Sequence, residues 1–504
     1  MVIARISNLL GKITIFFVIC CLVMGCFVVN TAVALNGSGT QEDPWLIQSL
    51  DDFNDFAADA NYWDDYTRLE TDVNLAGMVY EKAVIAPDVN DADWRFQGTA
   101  FAGVFDGNDH KIVGLTINDG GAGNDDLGLF GCIDGGEVMN LGIEGGFVSG
   151  GYSVGGLVGE NLGIVSNCYY TGDMSGYSYV GGLVGMNGFV VYFPTPSAKI
   201  GYIYNSYSTG SVQGDSFVGG LVGLVIIGDV SNCYSISDVN GDEAGGLVGV
   251  NLGIVSNCYS TGDVNSVSNV GGLVGRNGTH SGGYPGTDPG YIHNSYSTGA
   301  VQGISRVGGL VGQNCYGTVS NCYSTGYVSG DYDVGGLVGQ NGILRPVVPG
   351  RYLGYILISY STSAVQGYSH VGGLVGYNNG SISNCYSIGD VNGVSDVGGL
   401  VGLNSQGCIS NNSFWDTDTQ THGVTESIGL NDGDVNNVEG LPTAQMQTKS
   451  TFTDANWDFI NIWDIGENQT YPYLRVYLPS DINKDGIVNF LDLSITANQW
   501  MQED

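Results

Sequence analysis

Gly155-Gly156-Leu157-Val158-Gly159 is the first of nine error-free copies of one pentapeptide; the others begin at Gly181, Gly219, Gly245, Gly271, Gly308, Gly335, Gly372 and Gly398. Start-to-start steps are 26, 38, 26, 26, 37, 27, 37 and 26 residues, a fixed period interrupted by insertions of about eleven. A unit this short cannot bury its own apolar face, so the period specifies stacked coils rather than several globular domains. The 504 residues therefore count coils, although length alone would suggest three or four domains.

The rest of the unit is equally regular. Two residues after the last glycine stands Asn161, Asn187, Asn251, Asn277, Asn314, Asn341, Asn378 or Asn404, with Val225 the exception. An asparagine amide both donates and accepts, so copies stacked about 4.8 Å apart can form a hydrogen-bonded ladder. There follows Ile or Val, a variable residue, and then Asn-Cys-Tyr-Ser or Asn-Ser-Tyr-Ser, as at 255–260 and 203–208. The leading apolar residue is present in all nine units, from Val165 to Ile409, which marks it as core. Strict alternation from it would turn the tyrosine inward and the cysteine outward, whereas a turn at the asparagine would reverse both.

Three short strands and three turns fit such a unit, with glycine pairs bending the backbone at the corners. The fold class expected is all-β, a right-handed parallel β-helix, the hand following from the rule for parallel crossovers. With 83 glycines but only 11 prolines the chain is not collagen, and 30 tyrosines with regular aliphatics exclude disorder.

Residues 1–34 carry Arg5 and Lys12, an apolar run from Ile13 to Val29 and then Ala32-Val33-Ala34, the pattern of a secretory signal cleaved near Ala34. A rival reading takes residues 23–26 as a lipobox with Cys26 lipidated. Either way the protein is expected to be secreted or at the cell surface, and no later segment is apolar enough to be a transmembrane span. Removing two basic residues leaves 12 against 50 acidic ones, a mature charge of −38, which argues against nucleic acid as a partner.

Residues 35–126 read as an N-terminal cap and first coils. Ser49 and Asp52 mark a helix start, and Phe53, Phe56, Ala57 and Ala60 fall on one helical face that can plug the open end of the solenoid. Gly120 to Leu127 spell one copy of a calcium-binding nonapeptide, which needs successive copies, so it reads as a turn. After residue 415 the period dissolves, and 416–478 read as a C-terminal cap over the last coil.

Three units carry the extra residues, at about 188–202, 278–291 and 342–355, each between the asparagine and a Gly-Tyr-Ile. Loops emerging together are where repeat proteins bind ligands, and these bring Phe189, Tyr192, Phe193, His280, Tyr284, Arg345, Arg351 and Tyr352. Asp481, Asn483, Asp485, the Ile487 carbonyl, Asn489 and Asp492 occupy positions 1, 3, 5, 7, 9 and 12 of a calcium loop, with Gly486 at the turn. Calcium is thus the expected cofactor of segment 479–504.

The nine motifs with their Asn-Cys-Tyr-Ser sequel resemble the GLUG-motif repeats of bacterial secreted and surface proteins, over residues 127–415. That resemblance implies an adhesin-like scaffold or binding surface, with a glycan or a host or neighbouring cell surface as ligand. The calcium loop resembles one half of a dockerin and implies a cohesin-like or cell-envelope partner; no second loop is found.

Five cysteines, Cys168, Cys233, Cys258, Cys322 and Cys385, share a position that serine takes in the three loop-bearing units, which suggests stacked free thiols rather than disulfides or a metal. The histidines are scattered, and Asp173, Asp263 and Asp390 sit in turns, so the chain reads as non-catalytic. The alternative is a polysaccharide-active β-helix enzyme using paired carboxylates. Calorimetric titration of residues 479–504 is expected to give a binding heat with calcium; no heat at millimolar calcium removes that site.

Overall fold

The computed structural model describes residues 35–90, 96–191, 197–279, 289–343, 354–405, 408–409 and 412–475. The expected signal and the calcium loop, Asp481 to Asp492, lie outside the described residues. Within them the chain is a parallel β-helix: each strand pairs in parallel and in register with its counterpart one coil on, as Val248↔Val274, Val255↔Ile292 and Tyr259↔Tyr296.

A clean coil has five short strands rather than three. In the fourth unit these are Val248–Asn251, Ile254–Ser256, Tyr259–Ser260, Val264–Asn265 and Ser268–Gly271. The first two belong to one sheet and the last three to the other. The extra breaks come from residues in the left-handed region, chiefly the asparagine before a Cys-Tyr or Ser-Tyr pair: Asn167, Asn205, Asn232, Asn257, Asn294, Asn321 and Asn384 all have φ between 49° and 55°.

That corner settles the strand register. Val255 and Cys258 both point inward, Tyr259 outward and Ser260 inward again. The stacked thiols are free and buried. Cys168, Cys322 and Cys385 each donate to the carbonyl two residues back, as Cys168 Sγ to Ser166 O at 3.2 Å, and burial pushes these thiols up to about 12. Serine replaces cysteine because its hydroxyl makes the same bond, Ser206 Oγ to Tyr204 O at 2.7 Å.

The paired glycines answer to crowding between coils more than to bending. At Gly246 a Cβ would lie 2.2 Å from the carbonyl oxygen of Gly272 in the next coil and 2.3 Å from Ser260 Oγ. No side chain fits there.

The inner asparagines form the expected ladder. Asn161 Nδ2 donates to Asn187 Oδ1 at 2.7 Å; after the break at Val225 the chain of donations resumes from Asn251 through Asn277, Asn314, Asn341, Asn378 and Asn404 to Asn431, at 2.8–3.0 Å. All but the last are wholly buried, where an unpaired amide would be costly.

Both ends depart from the sequence reading. Coils begin earlier than Phe101, since Trp45–Ile47 pairs with Thr67–Leu69 and that strand with Val104–Asp106. The helix Leu50–Ala58 is capped by Ser49 and buries Phe53 and Phe56 against the first coils; Phe56 lies 5.6 Å from Phe105. Ala60 is exposed, outside the helix, and Trp63 closes the end instead, its Nε1 donating to Phe56 O. At the other end the period does not dissolve at 416. Ile428–Asn431, Asp434–Val435 and Val438–Leu441 pair with the strands of the preceding coil, adding a degenerate turn of the helix.

Residues 442–475 then do not cover that last coil but fold back along its flank. Their Met446, Phe452, Trp457, Phe459 and Trp463 form a second core with Tyr386 and Phe414. Ile358 and Ile388 pack against the same core. Ile358 occupies the left-handed corner where other coils have asparagine (φ 51°), and Asn321 Oδ1, which would accept from an asparagine there, is buried without a partner.

The ladder predicts an asymmetry. Asn314→Ala leaves Asn341 Oδ1 and Asn277 Nδ2 short of a partner and is expected to lower the free energy of urea unfolding by about 2–3 kcal/mol. Asn314→Val, which copies the packing at Val225, should cost less.

Candidate functional site

The three inserts leave from one corner. Gly188, Gly278 and Gly342 open them with φ of 80°, 87° and 79°. Gly201, Gly290 and Gly354 close them, each pressed so tightly on the asparagine ladder that a Cβ would lie 2.1–2.3 Å from an Asn Oδ1. The first insert contains an antiparallel hairpin of Phe189–Val191 with Ser197–Lys199, tied down by an ion pair between Lys199 and Asp134. Phe189 is half-buried in it. Tyr192, Phe193, His280, Tyr284, Arg345, Arg351 and Tyr352 lie outside the described residues.

A second candidate was not singled out from the sequence. On the fourth strand the inward residue is Met174 in the first clean unit and valine in those that follow, while the outward one is Ser175 and then Gln213, Asn240, Asn265, Gln302, Ser329, Gln366 and Asn392, in register. These side chains floor two shallow grooves of about 410 and 380 Å³ that share Gln302, Tyr327 and Ser329. Asp238 and Asp263 rim the first, and Asp331 and Tyr368 the second. Tyr327 donates to Gln366 Oε1 at 2.6 Å. The legible signal was the recurring Val-Gln or Val-Asn dipeptide, masked by its blandness.

The turn aspartates are structural, as their setting suggested. Asp173, Asp263 and Asp390 each accept from a backbone N–H of the next coil, at Ser211, Ala300 and Thr421, over 2.8–3.0 Å. The Gly120–Leu127 stretch is likewise a turn, folded around Asp119, whose carboxylate accepts from the N–H groups of Gly121, Gly123 and Asn124.

Charged groups that the periodicity did not flag gather where the fifth strand meets the next motif. Glu243 pairs with Arg276 at 2.9 Å, Arg276 lies 5.6 Å over the Phe217 ring, and Arg306 donates to Asn269. Burial raises the Glu243 carboxyl despite its partner. His370 sits between Asp333 (2.7 Å) and Asp396 (3.7 Å), and the hydrogen bond to Asp333 holds its pKa up. Nearer the N-terminus, Asp88, Asp126 and Glu160 are buried near one another, with Cys132 close to the latter two. Burial and the negative charge of Asp134 push Glu160 up to about 7. The six candidate calcium ligands between Asp481 and Asp492, with the turn at Gly486, lie outside the described residues.

A family model described as the GLUG motif matches residues 150–174, 242–265, 303–329 and 367–392, confirming those repeats. Halomucin of Haloquadratum walsbyi is 33% identical over 153 residues, 30% of this chain and 2% of its own length. A protein described as a Gly-rich membrane protein, from Evansella cellulosilytica, is 32% identical over 174 residues, 33% of this chain and 19% of its own. The chain thus spans a small fraction of either relative. A crystal structure of a protein described as an immunoglobulin A1 protease from Bacteroides ovatus aligns over 87% of this chain and 94% of its own, at 19% identity and a TM-score of 0.29, too low to bear on the fold. No helix among the described residues is long and apolar enough to cross a membrane.

Glu160 generates a pH prediction. Its folded pKa of about 7 lies above the ordinary 4.5, so the stability it contributes is present below pH 4.5 and lost as pH rises through 7. Glu160→Gln is expected to flatten that decline in Tm and to stabilise the protein at pH 8 by on the order of 3 kcal/mol at most.

Proposed function

We propose that the protein is a non-catalytic repeat scaffold of the cell surface or its surroundings that binds an extended, hydroxyl-rich glycan along the fourth-strand groove. The observation that carries this reading is the row of outward amides. Asn240, Asn265 and Gln302 present donors and acceptors one coil apart, and Gln366, two coils beyond Gln302 past Ser329, offers its amide N–H while its Oε1 accepts from Tyr327; Tyr327 and Tyr368 stand at the wall. A coil rise of about 4.8 Å is close to the advance of one sugar in an extended chain, so one side chain meets one ring. The acidic rim and net charge of −36 select a neutral polymer over a polyanion. Similarity to halomucin and to a Gly-rich membrane protein supports a surface location.

In this reading the three inserts supply a separate adhesive contact to a host or neighbouring cell, and segment 479–504, folded around calcium, holds the scaffold to a cohesin-like or cell-envelope partner. The polysaccharide-active alternative draws on one feature, the raised carboxyl of Glu160 beside Asp126, which suits a general acid. Glu160 is only 5% exposed, which favours a structural origin for that shift.

On an array of neutral polysaccharides, Asn265→Ala with Gln302→Ala is expected to cut binding by about tenfold or more, near 1.4 kcal/mol. Removing the three inserts should leave that signal intact and abolish adherence to cells. No retained glycan, or reducing ends released by the wild type and lost in Glu160→Gln, overturns the binding reading.

A further inference from the structure

The outward tyrosines of the third strand form a continuous stack: Tyr169, Tyr207, Tyr234, Tyr259, Tyr296, Tyr323, Tyr360 and Tyr386, with centroids 4.8–5.1 Å apart and planes within 7° of parallel. Each ring spends its faces on its two neighbours. Outward it offers only an edge and a hydroxyl. A pyranose needs a ring face to stack on, so this ridge is unsuited to sugar; an edge and a hydroxyl suit the tilted face of another aromatic ring and a carbonyl acceptor.

The chain itself shows that mode of contact at the C-terminal end of the ridge. Trp463 packs on Tyr360 and Tyr386 at 6.2 and 6.0 Å, tilted 47° and 51°, and Trp457 on Tyr386 at 6.3 Å and 37°. The Tyr386 hydroxyl donates to the carbonyl of Pro472. Beside them Ile388 is packed into the same core.

Ile388 marks this seat in the repeat. Two residues after the ladder tyrosine six coils have threonine, at 171, 209, 261, 298, 325 and 362. Only Ile236 and Ile388 depart from that. Their backbones are equivalent, Ile236 N donating to Ser208 O and Ile388 N to Ser361 O, both at 3.0 Å. Yet Ile388 is covered and Ile236 is 50% exposed, next to Tyr207 and Tyr234, which are half-buried and free of the C-terminal segment.

We infer that Tyr207, Tyr234 and Ile236 form a second seat of the same kind, which takes an extended, proline-containing segment of a partner protein with a tryptophan or tyrosine at its centre. The tryptophan face lies across the edges of Tyr207 and Tyr234, its flank covers Ile236, and a proline carbonyl accepts from a ladder hydroxyl, as Pro472 does at the covered seat. Continuity with the covered seat fixes the chemistry, and charge narrows the partner. A second copy would bring another −36, so the segment belongs to a neutral or basic chain.

The test titrates the whole protein with a synthetic peptide of residues 463–475, Trp-Asp-Ile-Gly-Glu-Asn-Gln-Thr-Tyr-Pro-Tyr-Leu-Arg, with its carboxylates amidated. Ile236→Thr gives the coil the residue that six others carry, so it is expected to fold with an unchanged Tm. The proposal expects saturable binding that Ile236→Thr weakens by at least about tenfold. No binding at millimolar peptide, or binding indifferent to Ile236→Thr, overturns it. So does concentration-dependent dimerisation, or retention of a neutral glycan, that disappears in Ile236→Thr, since either gives the seat a different occupant.

Discussion

In-register stacking governs every other feature of this molecule. Each side chain has its own counterpart about 4.8 Å above and below, so a residue is admitted only if it tolerates a copy of itself at that distance. Asparagine and tyrosine meet the condition by bonding or stacking with themselves, as the inner amide ladder and the outer ring stack show. Glycine meets it by having nothing to collide. Aspartate is placed where its carboxylate takes a backbone N–H from the next coil, and this lets even Asp238 and Asp263 follow one another at the same corner.

The same condition explains what the sequence made legible. Period, coil boundaries, the core at Val255 and its equivalents and the amide ladder could be read because stacking forces repetition of identical residues. The count of strands could not, because five strands and three differ only in where the backbone enters the left-handed region, and the asparagine that does so also suits an ordinary turn. The last coil was hidden for a related reason. Ile428–Asn431 keeps the register of the motif strand while losing the two glycines, since among the described residues no further coil stacks on it. The C-terminal segment had no period at all, and its seat on the tyrosine edges is long-range information that no local pattern holds.

Function, where it resides, is written in the positions that stacking leaves free. The outward residue of the fourth strand varies between amides and serine, and the inserts enter at a corner where glycine on both sides lets the chain leave and return. The frame thus separates two kinds of sequence constraint. Replacing a framing residue disturbs all coils that stack on it, whereas exchanging an outward amide changes one step of a surface.

Val225 gives the stack a mechanical character. It is buried in the core like its neighbours but can neither donate nor accept, so the line of side-chain bonds is split into a short block ending at Asn187 and a long one running from Asn251 to Asn431. Backbone pairing still bridges the gap, Val222 to Val248 among others, and so do bonds at other corners, such as Cys233 N–H to Cys258 Sγ and Asp263 N–H to Asp238 Oδ1, so it is the inner amide line alone that is interrupted. Inside that coil the core is held by packing where the coils beyond it are also laced amide to amide. The groove straddles this break, with Ser211, Asp238 and Asn240 on one side of it and Asn265 and Gln302 on the other, so its two halves stand on separately laced blocks.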